Sequence, residues 1–408
     1  AGDGIAAAAV ADLLPRGSAE AVIGQWFGWL VCAFLFGAAT GGYLFGVLGD
    51  RIGRAKAMSY SILCYSVFAA LTWSVQNAEW LLVFRFLTCM GIGGMWPNGI
   101  ALLSEAWPNV SRPMLAGIMG TSANVGILLF SLLTLVKHVT PEDWRWTMLV
   151  GAVPIILGIV SWVLVPESPR WLALQQNDDI PSKKPGVGEI FRPPLLQVTL
   201  IGIMLGTIPL FGGWGVSNWA TAWASEVGDT RALVDDASDG ETDENAAKRK
   251  TDPTLKSKAS IARSLPGSIT SLLGGAFAFY VGRKRSYFIL CLGALICTQG
   301  LFRSDPQADA FLYWMGGLGV FSGAFFGWLP LCLPELFPTR VRATGAGVSF
   351  NWGRILTGVG VLVSAAALKQ AFQGRYADVG LITGFIYAIG MIVILLAPNI
   401  SKNGLSEE

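Results

Sequence analysis

Long apolar runs separated by short polar segments extend along almost the whole chain. The runs of membrane-spanning length fall at roughly 22–49, 57–76, 80–103, 113–136, 147–165, 196–225, 259–281, 286–302, 309–333, 343–368 and 378–397. A helix needs about 20 residues to cross a bilayer, so each run predicts one transmembrane helix. An apolar segment at 1–14 adds a twelfth, and we number the helices 1 to 12 in chain order. Because helix 1 is too short to span, we expect its first half to be missing from the sequence.

Two longer hydrophilic segments divide this pattern into units. Residues 167–194 separate the first six predicted helices from the last six. We therefore predict an N-terminal bundle over 1–166, a cytoplasmic connecting loop over 167–194 and a C-terminal bundle over 195–408. A second hydrophilic segment, 227–258, runs acidic and then basic and lacks apolar periodicity. We expect it to form a loosely ordered loop on the extracytoplasmic side.

The two predicted bundles share a sequence repeat. Residues 104–112 (SEAWPNVSR) and 334–342 (PELFPTRVR) place Glu, an aromatic residue, Pro and Arg at the same offsets, and an Ala-Gly pair follows each at the same distance. Both segments lie between two apolar runs. A membrane protein built from two similar halves is the architecture of secondary transporters, whose substrate site lies between the repeats. The repeat therefore predicts a solute carrier.

Composition agrees with a membrane protein and argues against other classes. Only 14% of the 408 residues are charged and 53% are hydrophobic, whereas soluble proteins carry about 25% charged residues. The net charge of +2 gives no indication of nucleic-acid binding. The six cysteines lie in apolar runs without metal-ligand spacing, and there is one histidine. We therefore expect no metal and no cofactor, and an enzyme is the least favoured class.

Positive residues in the short loops predict the orientation of the chain. Most Lys and Arg residues of short loops fall on the side that carries residues 51–56, 112, 170, 283–285 and 340–342. Short loops rich in Lys and Arg stay in the cytoplasm. We therefore expect a multi-pass protein of the bacterial inner membrane with both termini in the cytoplasm.

A polar, glycine-rich motif follows helix 2 directly. Residues 46–56 (GVLGDRIGRAK) combine glycines, which allow close helix packing, with one acid and three bases. Asp50 suits the positive N-terminus of a neighbouring helix. Arg51 and Arg54 can hold acids such as Glu105. Such a cluster would keep the cytoplasmic side closed and break when that side opens; a solvated loop that only sets topology is the alternative. The predicted cytoplasmic gate comprises Gly46, Asp50, Arg51, Gly53, Arg54, Glu105, Arg112, Glu335, Arg340 and Arg342.

The second half repeats this motif incompletely. Gly282 and the basic residues 283–285 keep their places, but Phe279 stands where the first half has Asp50. A latch between the halves should therefore be asymmetric, with its acid in the N-terminal half only.

Residues 46–56 resemble the signature of the major facilitator superfamily, in the loop between helices 2 and 3. Residues 166–171 (PESPRW) after helix 6 and 334–345 (PELFPTRVRATG) after helix 10 resemble the sugar porters and metabolite:proton symporters of that superfamily. The resemblance covers essentially the whole chain. It implies an all-α fold of twelve helices in two pseudo-symmetric six-helix bundles, with helices 1, 4, 7 and 10 around a central cavity. We also expect the protein to function as a monomer.

Two ionisable residues of the first half are candidates for proton coupling. Arg85 lies within helix 4, where a charge costs at least about 2.5 kcal/mol. Its spacing from Glu105 resembles that in sugar porters, in which this Arg pairs with a helix 1 Asp, and Asp3 matches that partner. A carboxyl at mid-membrane depth prefers to be neutral unless a cation holds it ionised, so the pair can act as a proton switch. A static ion pair, or an Asp3 without a role, is the alternative.

Arg354 lies about twelve residues into helix 11 and is the candidate anion ligand. Residues 349–354 (SFNWGR) resemble the aromatic-Asn-x-Gly-Arg sequence of sialate and aromatic-acid:proton symporters. A mid-helix Arg with Asn351 one turn earlier is suited to binding a carboxylate. Alignment of the repeats places Asn124 opposite Arg354. A structural Arg bonded to carbonyls or to Glu335 is the alternative.

Helices 7 and 10 add candidates whose interpretation is open. Trp214, Asn218 and Trp328 could contact a substrate ring, shape a gate or belong to an interfacial aromatic belt. Pro209 and the glycines of helix 7 make that helix easy to bend or unwind. Sugar porters usually carry a Gln-Gln pair where Pro209 and Leu210 stand here, which argues against a hexose.

The sequence as a whole predicts proton-coupled symport of a small organic anion, a carboxylate, by rocking of two halves within the bilayer. Asp3 would carry the proton, Arg85 would modulate it, and Arg354 with Asn351 and Asn124 would bind the anion. A drug:proton antiporter or a sugar or polyol porter is the first alternative, and a transporter-like membrane sensor without flux is the second. The Gly-Pro motif of drug antiporters is absent from helix 5, which argues against that class.

Overall fold

Every regular element in the part of the chain that the structure describes is helical. The computed structural model describes residues 9–10, 12–14, 20–106, 112–137, 142–176, 188–217, 219–221, 223–224, 255–306, 308–372 and 375–398. Most of the predicted loop at 227–258 lies outside the described residues. Asp3 also lies outside them.

Each apolar run from helix 2 onward forms a helix, which confirms these eleven predicted segments. Helices 2 to 5 span Glu20–Ile52, Arg54–Thr72, Ala78–Ala106 and Arg112–Val136, and helices 8 to 11 span Leu255–Val281, Arg283–Leu301, Asp309–Cys332 and Arg342–Gln370. Helix 6 has two segments, Trp146–Ala152 and Ile155–Leu164, and helix 12 has two, Tyr376–Thr383 and Ile386–Leu396. Helix 7 begins as Leu195–Leu210, and a short helix, Pro169–Gln176, follows helix 6.

Helix 7 changes its winding halfway. After Leu210 it continues as a π-helical turn, Phe211–Val216, which contains three glycines. Insertions of this kind leave backbone groups without their usual partner. Here Nη1 of Arg263, from helix 8, donates to the carbonyl oxygen of Gly213 at 2.9 Å. The glycine-rich part of helix 7, which the sequence predicts to be easy to bend or unwind, thus has altered winding. The neighbouring helix 8 supplies a hydrogen-bond donor to one of its carbonyl groups.

Several helices have the length and composition of membrane spans. Seven meet this criterion: Trp29–Ile52, Ala78–Ala106, Trp146–Leu164, Leu195–Gly213, Lys258–Val281, Asp309–Leu336 and Tyr376–Leu396. Large apolar side chains such as Val163 and Leu164 are about 70% exposed on their outer faces. Water would penalise so much exposed apolar surface, whereas lipid does not.

The two halves pack their helices in the same order. Helix 4 packs on helices 2 and 3, and helix 10 packs correspondingly on helices 8 and 9. Helix 3 contacts helix 6 as helix 9 contacts helix 12. Gly53 and Gly282, at matching positions of the repeat, both have positive φ angles, 113° and 98°, directly before a helix. Left-handed φ values of this kind favour glycine, so the sequence repeat is also a backbone repeat.

The halves meet most extensively along two helix pairs, helix 2 with helix 11 and helix 5 with helix 8, and helix 5 also packs on helix 10 and helix 4 on helix 11. Glycines allow the first pair to approach closely. A Cβ atom added to Gly347 would lie 2.3 Å from the carbonyl oxygen of Gly42, and one added to Gly46 would lie 2.8 Å from Cα of Thr344. This crossing lies toward the end of the molecule that carries Asp50, which we call the latch end and which the sequence predicts to be cytoplasmic.

Replacing Gly347 with alanine should loosen the contact between the halves at the latch end. The added methyl would overlap the Gly42 carbonyl, and overpacking of this kind costs about 1–3 kcal/mol. Ser104 lines a small cleft between the halves together with Pro330 and Glu335. A cysteine introduced at Ser104 should therefore react faster with a thiol reagent in Gly347→Ala than in the parent, whose six cysteines give the background rate.

Gly126→Ala is the matched control for this experiment. It makes the same substitution in a helix, but apart from the helix's own backbone no atom of the described residues lies within 4 Å of the added Cβ. The labelling rate at Ser104 should therefore be unchanged. If Gly347→Ala labels no faster than Gly126→Ala, the glycine crossing does not keep the latch end closed.

Candidate functional site

Asp50 joins the first half to the first turn of helix 11. Its carboxylate accepts hydrogen bonds from the backbone N–H of Ala343 at 3.2 Å, from the backbone N–H of Thr344 at 2.9 Å and from Oγ1 of Thr344 at 2.5 Å. The first N–H groups of a helix have no partner within the helix and carry the positive end of its dipole. A buried carboxylate from the other half supplies both a partner and a counter-charge.

Glu105 lies at the centre of a buried ionic cluster that also crosses between the halves. Its carboxylate is 3.1 Å from Nε of Arg54, in its own half, and 3.0 Å from Nη1 of Arg342, in the other half. All three side chains are fully buried. Arg54 also pairs with Asp50 at 3.1 Å and donates to the carbonyl oxygen of Thr339 in the second half at 2.5 Å. The predicted gate residues Asp50, Arg54, Glu105 and Arg342 are therefore brought together.

The segment that connects the halves completes this cluster. Glu167 accepts hydrogen bonds from the backbone N–H groups of Arg54 and Ala55, at 2.7 and 3.1 Å, and so caps helix 3. Ser168 donates to the Glu105 carboxylate at 2.5 Å, and Nε1 of Trp171 donates to a backbone carbonyl of helix 2. These contacts were not expected from the sequence. A Glu-Ser-Pro sequence directly after the last helix of a half was the available signal.

The second half uses its matching glutamate differently. Glu335 accepts two hydrogen bonds from Arg283, at 3.2 and 3.1 Å, within its own half. Phe279, which replaces the acid of the first half, lies under the Arg283 guanidinium at 5.4 Å from the ring centre. The ionic contact across the halves described here thus takes its acids from the first half.

The remaining candidate gate residues are Arg340, Arg51 and Arg112. Arg340 pairs with Glu189, which precedes helix 7. Arg51 is half-buried at the end of helix 2. The side chain of Arg112 lies outside the described part of the chain.

Trp328 belongs to the packed interior of the second half. It is fully buried, its Nε1 donates to the carbonyl oxygen of Arg283 at 2.9 Å, and its ring packs edge-on against Tyr287 at 4.7 Å. These contacts place it near the latch end and not beside Arg354. The structure therefore gives no support to Trp328 as a substrate contact.

Arg354 lies between aromatic rings near the middle of helix 11. Its Cζ atom is 4.9 Å from the centre of the Phe350 ring and 5.6 Å from that of Phe34, which belongs to helix 2. Trp96 of helix 4 stacks on Phe350 at 4.1 Å. The described residues place no carboxylate within 4.0 Å of Arg354. Glu335, the alternative partner, is held by Arg283 instead.

Asn351 joins helix 11 to helix 4. Its amide nitrogen donates to the carbonyl oxygens of Gly93, in the other half, and Gly347, both at 3.0 Å. Its two donor hydrogens are therefore already used in this conformation. The remaining candidate partners, the side chains of Asn124 and Trp214 and the whole of Asn218, lie outside the described part.

Arg85 borders a small cavity inside the first half. The cavity has a volume of about 50 Å³ and is lined by residues of helices 1, 2, 3, 4 and 6, including Ala9, Thr88 and Trp144. Nε of Arg85 and Oγ1 of Thr88 are buried without a hydrogen-bond partner among the described residues. The cavity is mostly apolar, but the two unpartnered polar atoms could each bond to a water molecule, which needs about 10–15 Å³.

Comparison with known proteins places this arrangement in a family. The model of the Major Facilitator Superfamily matches residues 17–361. The chain belongs to the major facilitator superfamily. Its relatives include the inner membrane metabolite transport protein YhjE of Escherichia coli, 27% identical over 94% of this chain and 86% of the relative. The sialic acid transporter NanX of Escherichia coli is 23% identical over 77% and 71%. The 4-hydroxybenzoate transporter PcaK of Pseudomonas putida is 24% identical over 91% and 89%.

Solved structures show the same superfamily fold. The proton:xylose symporter XylE bound to 6-bromo-6-deoxy-D-glucose superimposes with a TM-score of 0.70, at 16% identity, over 99% of this chain and 96% of that structure. The predicted fold class and the multi-pass membrane character are thus confirmed. As a member of this superfamily, the protein is a transporter and not an enzyme.

Removing the charge of Asp50 should open the latch end of this transporter. Asp50→Asn loses an ion pair and a contact with the dipole of helix 11, together about 1–2 kcal/mol. Thr344→Val removes one hydroxyl donor but keeps the ion pair and the backbone N–H contacts, so it should have a smaller effect. Labelling of the cysteine at Ser104 should therefore rise in both variants, and more in Asp50→Asn.

Asp378→Asn provides the control, because Asp378 forms a surface ion pair with Arg375, outside the cluster. Its labelling should match that of the parent. Equal labelling in Asp50→Asn and Asp378→Asn would show that the carboxylate at helix 11 does not stabilise the closed state.

Proposed function

We propose that the protein is a proton-coupled symporter of a small organic anion, a carboxylate, and that Arg354 binds the anionic group. The observation that carries this proposal is the Arg354 guanidinium, which lies at membrane depth among aromatic rings with no described carboxylate beside it. Twelve residues separate it from Arg342 at the latch end, a rise of about 18 Å. In a hydrocarbon core of about 30 Å this is near the middle.

Energetics favour an anionic ligand at this position. A charged side chain at the bilayer centre costs at least about 2.5 kcal/mol, and contact with an aromatic face returns about 0.5–2 kcal/mol. The rings of Phe34 and Phe350 thus compensate the charge only in part. A carboxylate that binds the guanidinium through two parallel hydrogen bonds would compensate it more fully.

Relatives of this chain support the substrate class. Their names specify organic acids: sialic acid, cis,cis-muconate, niacin and 4-hydroxybenzoate. All four carry a carboxyl group. The residues that replace the helix 7 glutamines of sugar porters, Pro209 and Leu210, agree with an acid more than with a sugar.

The contacts between the halves support alternating access by rocking. Hydrogen bonds of Asp50, Arg54 and Glu105 to the second half join the latch end, and the Asn351–Gly93 bond lies about two helical turns deeper. We infer that the latch end faces the cytoplasm, in the bacterial inner membrane, that the conformation is closed on that side, and that the protein functions as a monomer. Opening would break these bonds and expose their groups to water.

Proton coupling is assigned to Asp3, with Arg85 as the residue that responds to its charge. Asp3 precedes Ala9 by six residues in the sequence, and Ala9 lines the same small cavity as Arg85. The Nε atom of Arg85 is buried there without a described partner. A cation with spare donors beside helix 1 would favour the ionised form of a nearby carboxyl, and loss of that contact would favour the protonated form.

Changing Arg354 to lysine tests the anion contact. Arg354→Lys keeps the positive charge but loses the planar fork that binds both carboxylate oxygens. Uptake into proteoliposomes, screened first with carboxylates and sugars, should identify the substrate. Affinity for it should then fall at least tenfold in Arg354→Lys, a loss of about 1.4 kcal/mol or more. Arg303→Lys, at an exposed position in the turn after helix 9, is the control. Equal affinities in the parent, Arg354→Lys and Arg303→Lys would refute the assignment, and so would a substrate without an anionic group.

Changing Asp3 to asparagine tests the proton site. Asp3→Asn cannot release or bind a proton, so accumulation driven by a pH gradient should be abolished. Exchange of internal for external substrate needs no net proton movement and should persist. The measurement compares both modes in the same proteoliposomes. If Asp3→Asn still concentrates substrate with the pH dependence of the parent, another group carries the proton.

A further inference from the structure

A second guanidinium lies close to the proposed anion site. The Cζ atom of Arg85 is 6.0 Å from the centre of the Phe34 ring, and Cζ of Arg354 is 5.6 Å from the same centre. The two charges therefore lie within about 12 Å of each other, on helices that come from different halves. One aromatic ring is shared by two cations.

Neither cation is neutralised by the residues that the structure describes. The ion pairs among them include neither Arg85 nor Arg354. Near Arg85, its own Nε and Oγ1 of Thr88, one helical turn later, are buried and have no described hydrogen-bond partner. Charges at membrane depth are paired or serve a substrate. While Asp3 is protonated, a monocarboxylate on Arg354 would leave the charge of Arg85 uncompensated.

The surroundings of the two arginines are apolar. Phe34 contacts both guanidiniums, and Phe350 with the stacked Trp96 borders Arg354. Cys89, one turn after Arg85, is fully buried. A complementary ligand has an anionic group toward each arginine and an apolar, preferably flat, middle.

We infer that the transported anion is a dianion, such as a dicarboxylate, with one group bound by Arg354 and the other by Arg85. This rests on the proposed function, in which Arg354 makes the first contact. It adds a direct role for Arg85 in selecting the substrate. When Asp3 takes up a proton it becomes neutral and no longer competes for Arg85, so proton binding and binding of the second anionic group favour each other.

Matched pairs of ligands test this inference without relying on any variant. Terephthalate and 4-carbamoylbenzoate share a ring and one carboxylate, and differ in whether the second group is a carboxylate or a neutral amide. Adipate and its monoamide form an aliphatic pair. Titration calorimetry on the purified full chain should show that, in at least one pair, the dianion binds at least tenfold more tightly than the amide.

Variants then assign the preference to Arg85. In Arg85→Gln the affinities for dianion and amide should become equal within about threefold, through loss of dianion affinity. Arg354→Lys should weaken binding of both members of a pair. Arg303→Gln, an exposed arginine that bonds Gln299 within helix 9, should keep the ratio of the parent.

The outcomes separate this inference from the proposed function. If the parent binds the amides as tightly as the dianions, and Arg354→Lys weakens both, the dianion inference is wrong and the proposed anion site stands. The dianion inference is also wrong if Arg85→Gln keeps the tenfold preference. If none of the four probes binds, both the dianion and the carboxylate assignment are contradicted.

Discussion

The carboxylate of Glu105 is the centre of a buried ionic cluster in which the charge of Arg342 is neutralised only while the two halves touch. It bonds Arg54 in its own half and Arg342 in the other, and all three side chains are excluded from solvent. Leaving one member of a buried ion pair without its partner costs about 3–5 kcal/mol. The cluster therefore has to lie at an end of the molecule, where water enters as the halves separate and solvates the released groups. At the membrane centre, the charges of such a cluster would lose their partners on opening without gaining contact with water.

Arg354 presents the opposite situation, because it lies about 18 Å along helix 11 from the latch end and pairs with none of the carboxylates that the structure describes. Its described contacts are the faces of Phe34 and Phe350, which offset only part of the cost of the charge. An empty carrier of the proposed kind keeps this charge uncompensated, and a loaded one does not. The loaded form should therefore change conformation more easily than the empty form, which is what coupled transport requires.

The sequence predicted the helices well because apolar runs of spanning length are unambiguous. The repeat was equally informative, since Gly53 and Gly282 share an unusual backbone conformation. Side-chain partners were harder to predict. A transmembrane helix is apolar on all sides, so its periodicity does not reveal which face meets which neighbour. For this reason the role of Trp328 stayed open in the sequence, whereas the structure packs it in the interior of the second half; the stack of Trp96 on Phe350 was missed.

The two contacts between the halves differ in kind, and this difference follows from one substitution within the repeat. Helices 2 and 11 pack closely through glycines and are joined in addition by the Asp50 carboxylate, whereas Phe279 stands at the matching position of helix 8. Helices 8 and 5 instead meet by close backbone packing: a Cβ atom on Gly275 would lie 2.3 Å from the carbonyl oxygen of Pro113. Packing of this kind tolerates small rotations without leaving a charge unpaired, whereas the ionic contact is either made or broken. Rocking should therefore pivot near helices 5 and 8 and separate helices 2 and 11.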